Sequence, residues 1–199
     1  MKNYIILFLI LSLISCSNKQ RNKDYNYNPK AIEMNNRAVK LSQRFKKDSA
    51  LLLYDKAIEL DENYYLPHAN KIDIYLLRNE YQEALYESEM VIKKKPDLAE
   101  GWFYSGVINE HQDNIDKAKK YYKKSIEVYK SRMKNSKKGE DITANKLNLA
   151  LAKKFIGDSS YVNEFEELRE IGNYSYLIDS IINKPRKKII NELINNYGN

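Results

Sequence analysis

The sequence predicts an all-helical solenoid, a stack of antiparallel helix pairs, from its composition and from an internal period. Its 199 residues include only six Gly and four Pro, whereas 31% are charged and 43% are apolar, a balance typical of amphipathic helices with few tight turns. Small and branched residues recur in register every 34 residues, at Ala50, Ala84 and Ala118 and at Ile58, Ile92 and Ile126. Such a period indicates units that bury their apolar faces only against their neighbours.

The N-terminus has the features of an export signal. Lys2 supplies a positive charge, and residues 4–14 are apolar apart from Ser12, a run about half as long as the roughly 20 residues that span a bilayer. The run ends in Leu13-Ile14-Ser15-Cys16, which resembles the lipobox of bacterial lipoproteins. The resemblance implies that residues 1–15 are a lipoprotein signal peptide and that Cys16, the only cysteine, carries the acyl chains of a membrane anchor.

Residues 16–30 are expected to be the lipidated cysteine followed by a flexible tether, because Ser17 to Pro29 is polar and offers little to bury. The expected location is therefore the bacterial cell envelope, with the chain lipid-anchored to a membrane. In a Gram-negative cell, this is expected to be the periplasmic face of the outer membrane.

The repeats 31–64, 65–98 and 99–132 share a pattern of bulky and small residues. The third repeat places Trp102 at its fourth position, Gly106 at its eighth, Ala118 at its twentieth and Tyr122 at its twenty-fourth. This pattern resembles the tetratricopeptide repeat (TPR), from which His68 and Ser88 depart in the second repeat at the bulky and aromatic positions. The resemblance implies a right-handed superhelix, the TPR solenoid, whose concave face is lined by the first helix of each repeat.

One departure concerns a turn. Phe45 stands where Asn79 and Asp113 stand in the other repeats. Because a bulky residue disfavours the left-handed backbone that Asn and Asp tolerate, we expect the first helix–helix turn to differ locally.

After the third repeat the period breaks. We expect a polar insertion over 133–142, a degenerate TPR-like helix pair over 143–172 and C-terminal capping helices over 173–199, since a solenoid must cover its last apolar face. An alternative places the basic residues Arg186, Lys187 and Lys188, which adjoin an apolar stripe, on the membrane surface.

The residues do not suggest catalysis. His68 and His111 are the only histidines, neither has a metal-ligand partner one helical turn away, and no phosphate loop or nucleophile elbow occurs. Basic and acidic residues are nearly balanced within each repeat, which argues against nucleic acid as a partner. We therefore expect a protein that is not an enzyme, with no cofactor, no metal and no small-molecule substrate.

The TPR resemblance implies a partner-binding groove. The inner positions of the first helices mix amides with apolar and aromatic residues, a composition suited to a peptide or helix. Of the carboxylate clamp with which some TPR domains hold chaperone C-termini, only Asn70 is present. The candidate partner-binding residues are Asn35, Asn70, Asp73, Leu77, Phe103, Tyr104 and His111.

The predicted function is that of a membrane-anchored TPR lipoprotein acting as a protein–protein interaction scaffold or adaptor in the envelope. Two alternatives stay open: a structural envelope spacer with an occluded groove, and an accessory subunit of an enzyme or transporter complex. The spacer predicts that residues 174–199 fill the concave face, which would leave no open cradle.

Overall fold

The computed structural model describes residues 26–137, 139–170 and 174–195. The predicted signal peptide and Cys16 lie outside these ranges. The described residues form ten helices and no strand: α1 Pro29–Gln43, α2 Lys47–Leu60, α3 Leu66–Leu77, α4 Tyr81–Lys94, α5 Ala99–His111, α6 Ile115–Lys134, α7 Thr143–Ile156, α8 Tyr161–Glu170, α9 Ser175–Ile181 and α10 Arg186–Asn195.

Local sequence sets several helix ends. The Asn28 side chain accepts a hydrogen bond from the Lys30 backbone N–H at 2.9 Å, and Pro29 occupies the first turn of α1, where its missing N–H costs nothing. Gly157 ends α7 in the left-handed region, with φ +80°, as glycine does readily.

Helices α1 to α6 form three successive antiparallel hairpins, each packed on the next, and α7 with α8 forms a fourth pair. The small residues lie at the helix contacts, since Ala50, Ala84 and Ala118 are each at most 1% exposed. A Cβ atom added to Gly106 would stand 2.5 Å from Cε1 of Tyr122, so the third repeat needs glycine for this close approach.

The expectation for the first turn was wrong. Phe45 has φ +60°, close to the values of 58° at Asn79 and 61° at Asp113. The backbone N–H groups of Phe45 and Lys46 donate to Ser42 and Leu41 just as their counterparts do in the other repeats. The packing of α1 on α2 thus fixes the turn. Phe45 adopts the unfavourable left-handed backbone there, and the residue is 88% exposed.

The chain then turns back on the solenoid. Helix α9 packs on α8, and α10 lies against α3 and α5. The apolar stripe of α10 is buried in the main core, and its members Ile189, Ile190, Leu193 and Ile194 are each 3% exposed or less. In the structure this stripe therefore faces protein, which differs from the alternative that placed it at a membrane surface.

Candidate functional site: the concave face

The concave face is built from the first helix of each repeat, and two of these helices, α3 and α5, are in contact with α10. The first residue of α10, Arg186, pairs with Glu110, which stands at an inner position of α5. In this conformation the middle of the groove is filled by the chain's own C-terminal helix.

An ion pair fixes the start of α10. The Arg186 Nε lies 2.6 Å from Glu110 Oε1, and the same guanidinium donates through Nη1 to the Phe155 carbonyl oxygen at 2.7 Å. Tyr122 donates its hydroxyl to Glu110 Oε2 at 3.0 Å. Burial raises the pKa of Glu110 above its usual value, although the hydrogen bond from Tyr122 and the charge of Arg186 oppose this shift. Because the carboxylate is partly desolvated, Arg186 is its main compensating charge.

Two further contacts hold the C-terminal segment. The Lys154 Nζ donates to the Ile182 carbonyl oxygen at 2.8 Å, which joins α7 to the end of α9. Lys184 pairs with Glu192 at 2.6 Å, which ties the loop before α10 to the middle of that helix. These bonds help to orient α10, in addition to the burial of its apolar stripe.

The predicted groove residues occupy three different environments. Phe103 and Tyr104 are each 4% exposed, and Phe103 stacks on Phe155 with ring centroids 5.4 Å apart. The Asn70 side-chain amide donates to Asn35 Oδ1 at 2.9 Å, so these two amides satisfy one another across the first two repeats. Asp73 is half-buried on α3. The structure thus brings Asn35 and Asn70 together and buries the two aromatic candidates.

The remaining candidates lie near the helix ends. Leu77 is half-buried at the end of α3. His111 packs its ring on Tyr81 with centroids 4.6 Å apart, and burial lowers its pKa. Both residues are partly accessible in the presence of α10.

Sequence reasoning missed Glu110 and Arg186 as a pair. Glu110 stands at an inner position of α5, and Arg186 follows Pro185 beside an apolar stripe, but no rule of spacing connects residues so distant in the chain. A signal existed in the C-terminal stripe itself, because a helix with one apolar face needs a partner surface.

A second polar cluster lies between α2, α3 and α4. His68 Nδ1 is 2.6 Å from Glu87 Oε2, and Lys71 Nζ contacts Glu87 Oε1 at 2.5 Å and Asp55 Oδ1 at 2.8 Å. Burial alone would lower the pKa of Lys71, but the hydrogen bonds to Asp55 and Glu87 raise it above its usual value. His68, Lys71 and Glu87 are all buried, so this cluster joins helices rather than facing a ligand.

Among the described residues, no three His, Cys, Asp or Glu side chains are grouped as a metal site would require. Within the same part of the chain, no helix combines the length and the apolar character needed to cross a bilayer.

The one related sequence described here matches less than half of the chain. No family model matches the chain. The heat shock protein sti1 homolog of Schizosaccharomyces pombe is 29% identical over 83 residues, or 41% of this chain. The chain thus spans 14% of the length of this curated relative.

Solved structures share the architecture. The Sgt2 TPR domain from Aspergillus fumigatus has a TM-score of 0.50 at 20% identity and covers 67% of this chain and 83% of that domain. The first TPR of Spaghetti, bound to an HSP90 peptide, has a TM-score of 0.49 at 16% identity, with coverage of 64% and 94%. MamA has a TM-score of 0.48 at 14% identity, with coverage of 87% and 93%. At these identities the likeness concerns the fold.

The helix order and the similarity to the Sgt2 domain define the fold class as an all-α, TPR-type solenoid, which confirms the prediction. Its particular feature is a C-terminal helix laid across its own concave face.

Proposed function

We propose that the chain is a lipid-anchored protein-interaction scaffold of the bacterial cell envelope, and that its concave face holds a helical segment of a protein partner. The proposal is carried by the observation that this face binds a helix, α10, although a filled face is also what the spacer predicts. A surface that buries four large aliphatic residues of one helix, with Glu110 placed for a cation at its start, has the shape and polarity that an amphipathic helix requires. A partner helix would take the place of α10.

The same observation favours a second candidate, the structural spacer with an occluded groove. Burial of four aliphatic side chains at about 1.5–3 kcal/mol each is a strong intramolecular contact, and a partner must exceed it to enter. In the spacer, α10 is a permanent part of the core. An accessory subunit of an enzyme or transporter complex would be one form of the scaffold, differing in the identity of its partner.

A release variant separates scaffold from spacer. Ile190→Asp with Leu193→Asp places two charges in the buried stripe and should free α10, whereas Lys187→Gln with Asn191→Asp makes the same change of net charge at two exposed positions of that helix and serves as the matched control. The scaffold predicts that cross-linking in intact cells yields more of a specific partner with the release variant than with the control. Adding Tyr104→Ala to the release variant should reduce that yield.

Identical cross-linked partners in all variants, with helical content retained by circular dichroism, would exclude groove binding and favour the spacer. Retained helicity matters because a release variant that unfolds would expose apolar surface indiscriminately. The comparison of release and control variants, both full-length, keeps charge change and helix position matched.

The anchor has its own test. Cys16→Ser should abolish incorporation of labelled palmitate, whereas Ser17→Ala should leave it unchanged because the lipobox resemblance ends at the cysteine. Undiminished labelling in the Cys16→Ser chain would contradict lipidation at this residue.

A further inference from the structure

We propose that the exposed face of α6 is a docking surface for anionic lipid headgroups. The inference rests on the lipid anchor proposed at Cys16, which would keep this helix within reach of a bilayer. It concerns the outer, convex layer of second helices and is independent of what occupies the concave groove.

Charge is distributed unevenly among structurally equivalent helices. Helices α2 and α4, the second helices of the first two repeats, each carry two basic and three acidic residues. Helix α6, the second helix of the third repeat, carries eight basic and two acidic residues. Counting by whole repeats conceals this excess, because the third repeat also contains the acidic residues Glu100 and Glu110 on α5.

Five lysines of α6 form no ion pair among the described residues, although Lys119 interacts electrostatically with Glu110 and Lys130 with Asp158 at longer range. Three basic residues of the helix are paired: Lys117 with Glu89, Lys124 with Glu127, and Arg132 with Glu100. The unpaired and exposed set consists of Lys119, Lys120, Lys123, Lys130 and Lys134. At 3.6 residues per turn these five side chains project from one side of the helix, along a line of about 22 Å.

Two pairs of these lysines repel each other along the helix. Lys119 with Lys123, and Lys130 with Lys134, are like charges one turn apart, and each such pair destabilises a helix by about 0.2–0.5 kcal/mol. Asp116 and Glu127 offset part of this repulsion, since each stands one turn from a lysine of the set, Lys120 and Lys123 respectively. An external layer of negative charge would relieve the repulsion that remains.

The side-chain chemistry favours lipid over other anionic partners. No exposed large apolar or aromatic side chain lies on α6, so the face offers neither the stacking platforms of single-stranded nucleic acid binders nor the buried anchors of protein interfaces. All five unpaired cations are lysines, whose flexible stems carry point charges suited to mobile headgroups rather than bidentate recognition.

The spacing of anchor and body permits this orientation. Thirteen peptide units join Cys16 to Pro29 and reach at most roughly 45 Å. A body of about 170 residues has a radius of gyration near 15 Å, so the tether does not dictate which face meets the membrane. Charge then selects the orientation, and tethering raises the effective concentration enough for a weak electrostatic contact to form.

The test places a fluorescent label on either of two exposed positions. Full-length acylated protein carrying Ser131→Cys, on the lysine face of α6, is compared with protein carrying Gln82→Cys on α4. Both are reconstituted in vesicles of phosphatidylcholine alone or with about one third phosphatidylglycerol, with a quencher on the headgroups. We expect quenching at position 131 only in the anionic vesicles and its loss at high salt, with little change at position 82.

Matched charge variants locate the effect. Lys120→Gln, Lys123→Gln and Lys134→Gln together should lower the docking equilibrium about a hundredfold, since each lysine near the surface contributes roughly fivefold. Lys30→Gln, Lys40→Gln and Lys56→Gln remove the same charge from exposed positions on α1 and α2 and should leave quenching at position 131 unchanged. Equal losses in both triple variants, or equal quenching in neutral vesicles, would overturn the inference.

Two controls separate this inference from the proposed function. The mass of the N-terminal peptide reports whether Cys16 is acylated. If acylated protein shows no quenching at position 131, the docking face is refuted but the anchor is not. If the protein isolated from cells carries no acyl group and still binds anionic vesicles through the α6 lysines, the anchor is refuted and the docking face stands. Tighter lysine-dependent binding to duplex DNA or to polyglutamate than to the anionic vesicles, at equal salt, would assign the face to nucleic acid or to an acidic protein instead.

Discussion

The guanidinium of Arg186 and the carboxylate of Glu110, 2.6 Å apart, join the C-terminal helix to the inner face of the third repeat. Tyr122 binds the same carboxylate, and the Phe155 carbonyl oxygen binds the same guanidinium. The pair therefore connects α5, α6, α7 and α10 at one point, and it is where closure of the groove is most sensitive to a single substitution.

Arg186→Gln should loosen α10, because Glu110 would lose the cation that compensates its burial. Loss of a charged hydrogen-bonded partner costs about 1–3 kcal/mol, so amide exchange over residues 186–195 should accelerate by roughly one to two orders of magnitude. Lys187→Gln, at an exposed position of the same helix, is the control. Equal exchange in both variants would show that the apolar stripe alone holds α10.

Gly106→Ala should destabilise the solenoid, because the new methyl group would meet the Tyr122 ring at 2.5 Å. Overpacking costs about 1–3 kcal/mol, and alanine's better helix propensity offsets about 1 kcal/mol of it. Urea denaturation measures the difference. In a double-mutant cycle, Gly106→Ala should cost less in the Tyr122→Leu background than with Tyr122 present, because the smaller side chain relieves the clash. Equal costs in both backgrounds would show that the Tyr122 ring is not the cause.

Phe45→Asn should stabilise the protein by about 0.5–1 kcal/mol, since asparagine tolerates the left-handed backbone that phenylalanine adopts here at φ +60°. The exposed ring contributes only a long contact with the Lys47 ammonium, 6.0 Å from its centroid. Phe45→Ala removes the ring without easing the backbone and should bring no gain. Thermal unfolding of the three proteins checks this, and a stabilisation by alanine equal to that by asparagine would refute the explanation.

Glu87→Gln should cost about 3–5 kcal/mol, because Glu87 is the shared carboxylate of buried His68 and Lys71. Glu83→Gln, exposed on the same helix, should change the free energy of unfolding by less than about 0.5 kcal/mol. Replacing the buried polar residues together by His68→Trp, Lys71→Met and Glu87→Leu should recover much of the loss, as measured by chemical denaturation. A triple variant less stable than Glu87→Gln would show that apolar residues cannot pack in this space.

The repeat pattern predicted the packing of Ala50, Ala84 and Ala118 because a small side chain at a helix crossing has few alternatives. The Phe45 turn differs from its prediction because the two helices that it joins outweigh the local backbone preference of phenylalanine. Among the candidate groove residues, the sequence could place Phe103 and Tyr104 on the inner side of α5, but it could not show that both are covered. Phe103 is covered in part by Phe155 of α7, which is remote in the chain.

The helical repeats and the apolar character of the C-terminal stripe follow from local sequence, because hydrophobic periodicity acts within a few turns of chain. The surface that this stripe covers and the direction in which α6 presents its lysines depend on how distant helices pack together. An amphipathic helix specifies that one face must be buried but not against which surface. A count of charges along the chain likewise does not tell which side of the folded protein presents them. Both are settled when distant helices meet, as Arg186 meets Glu110.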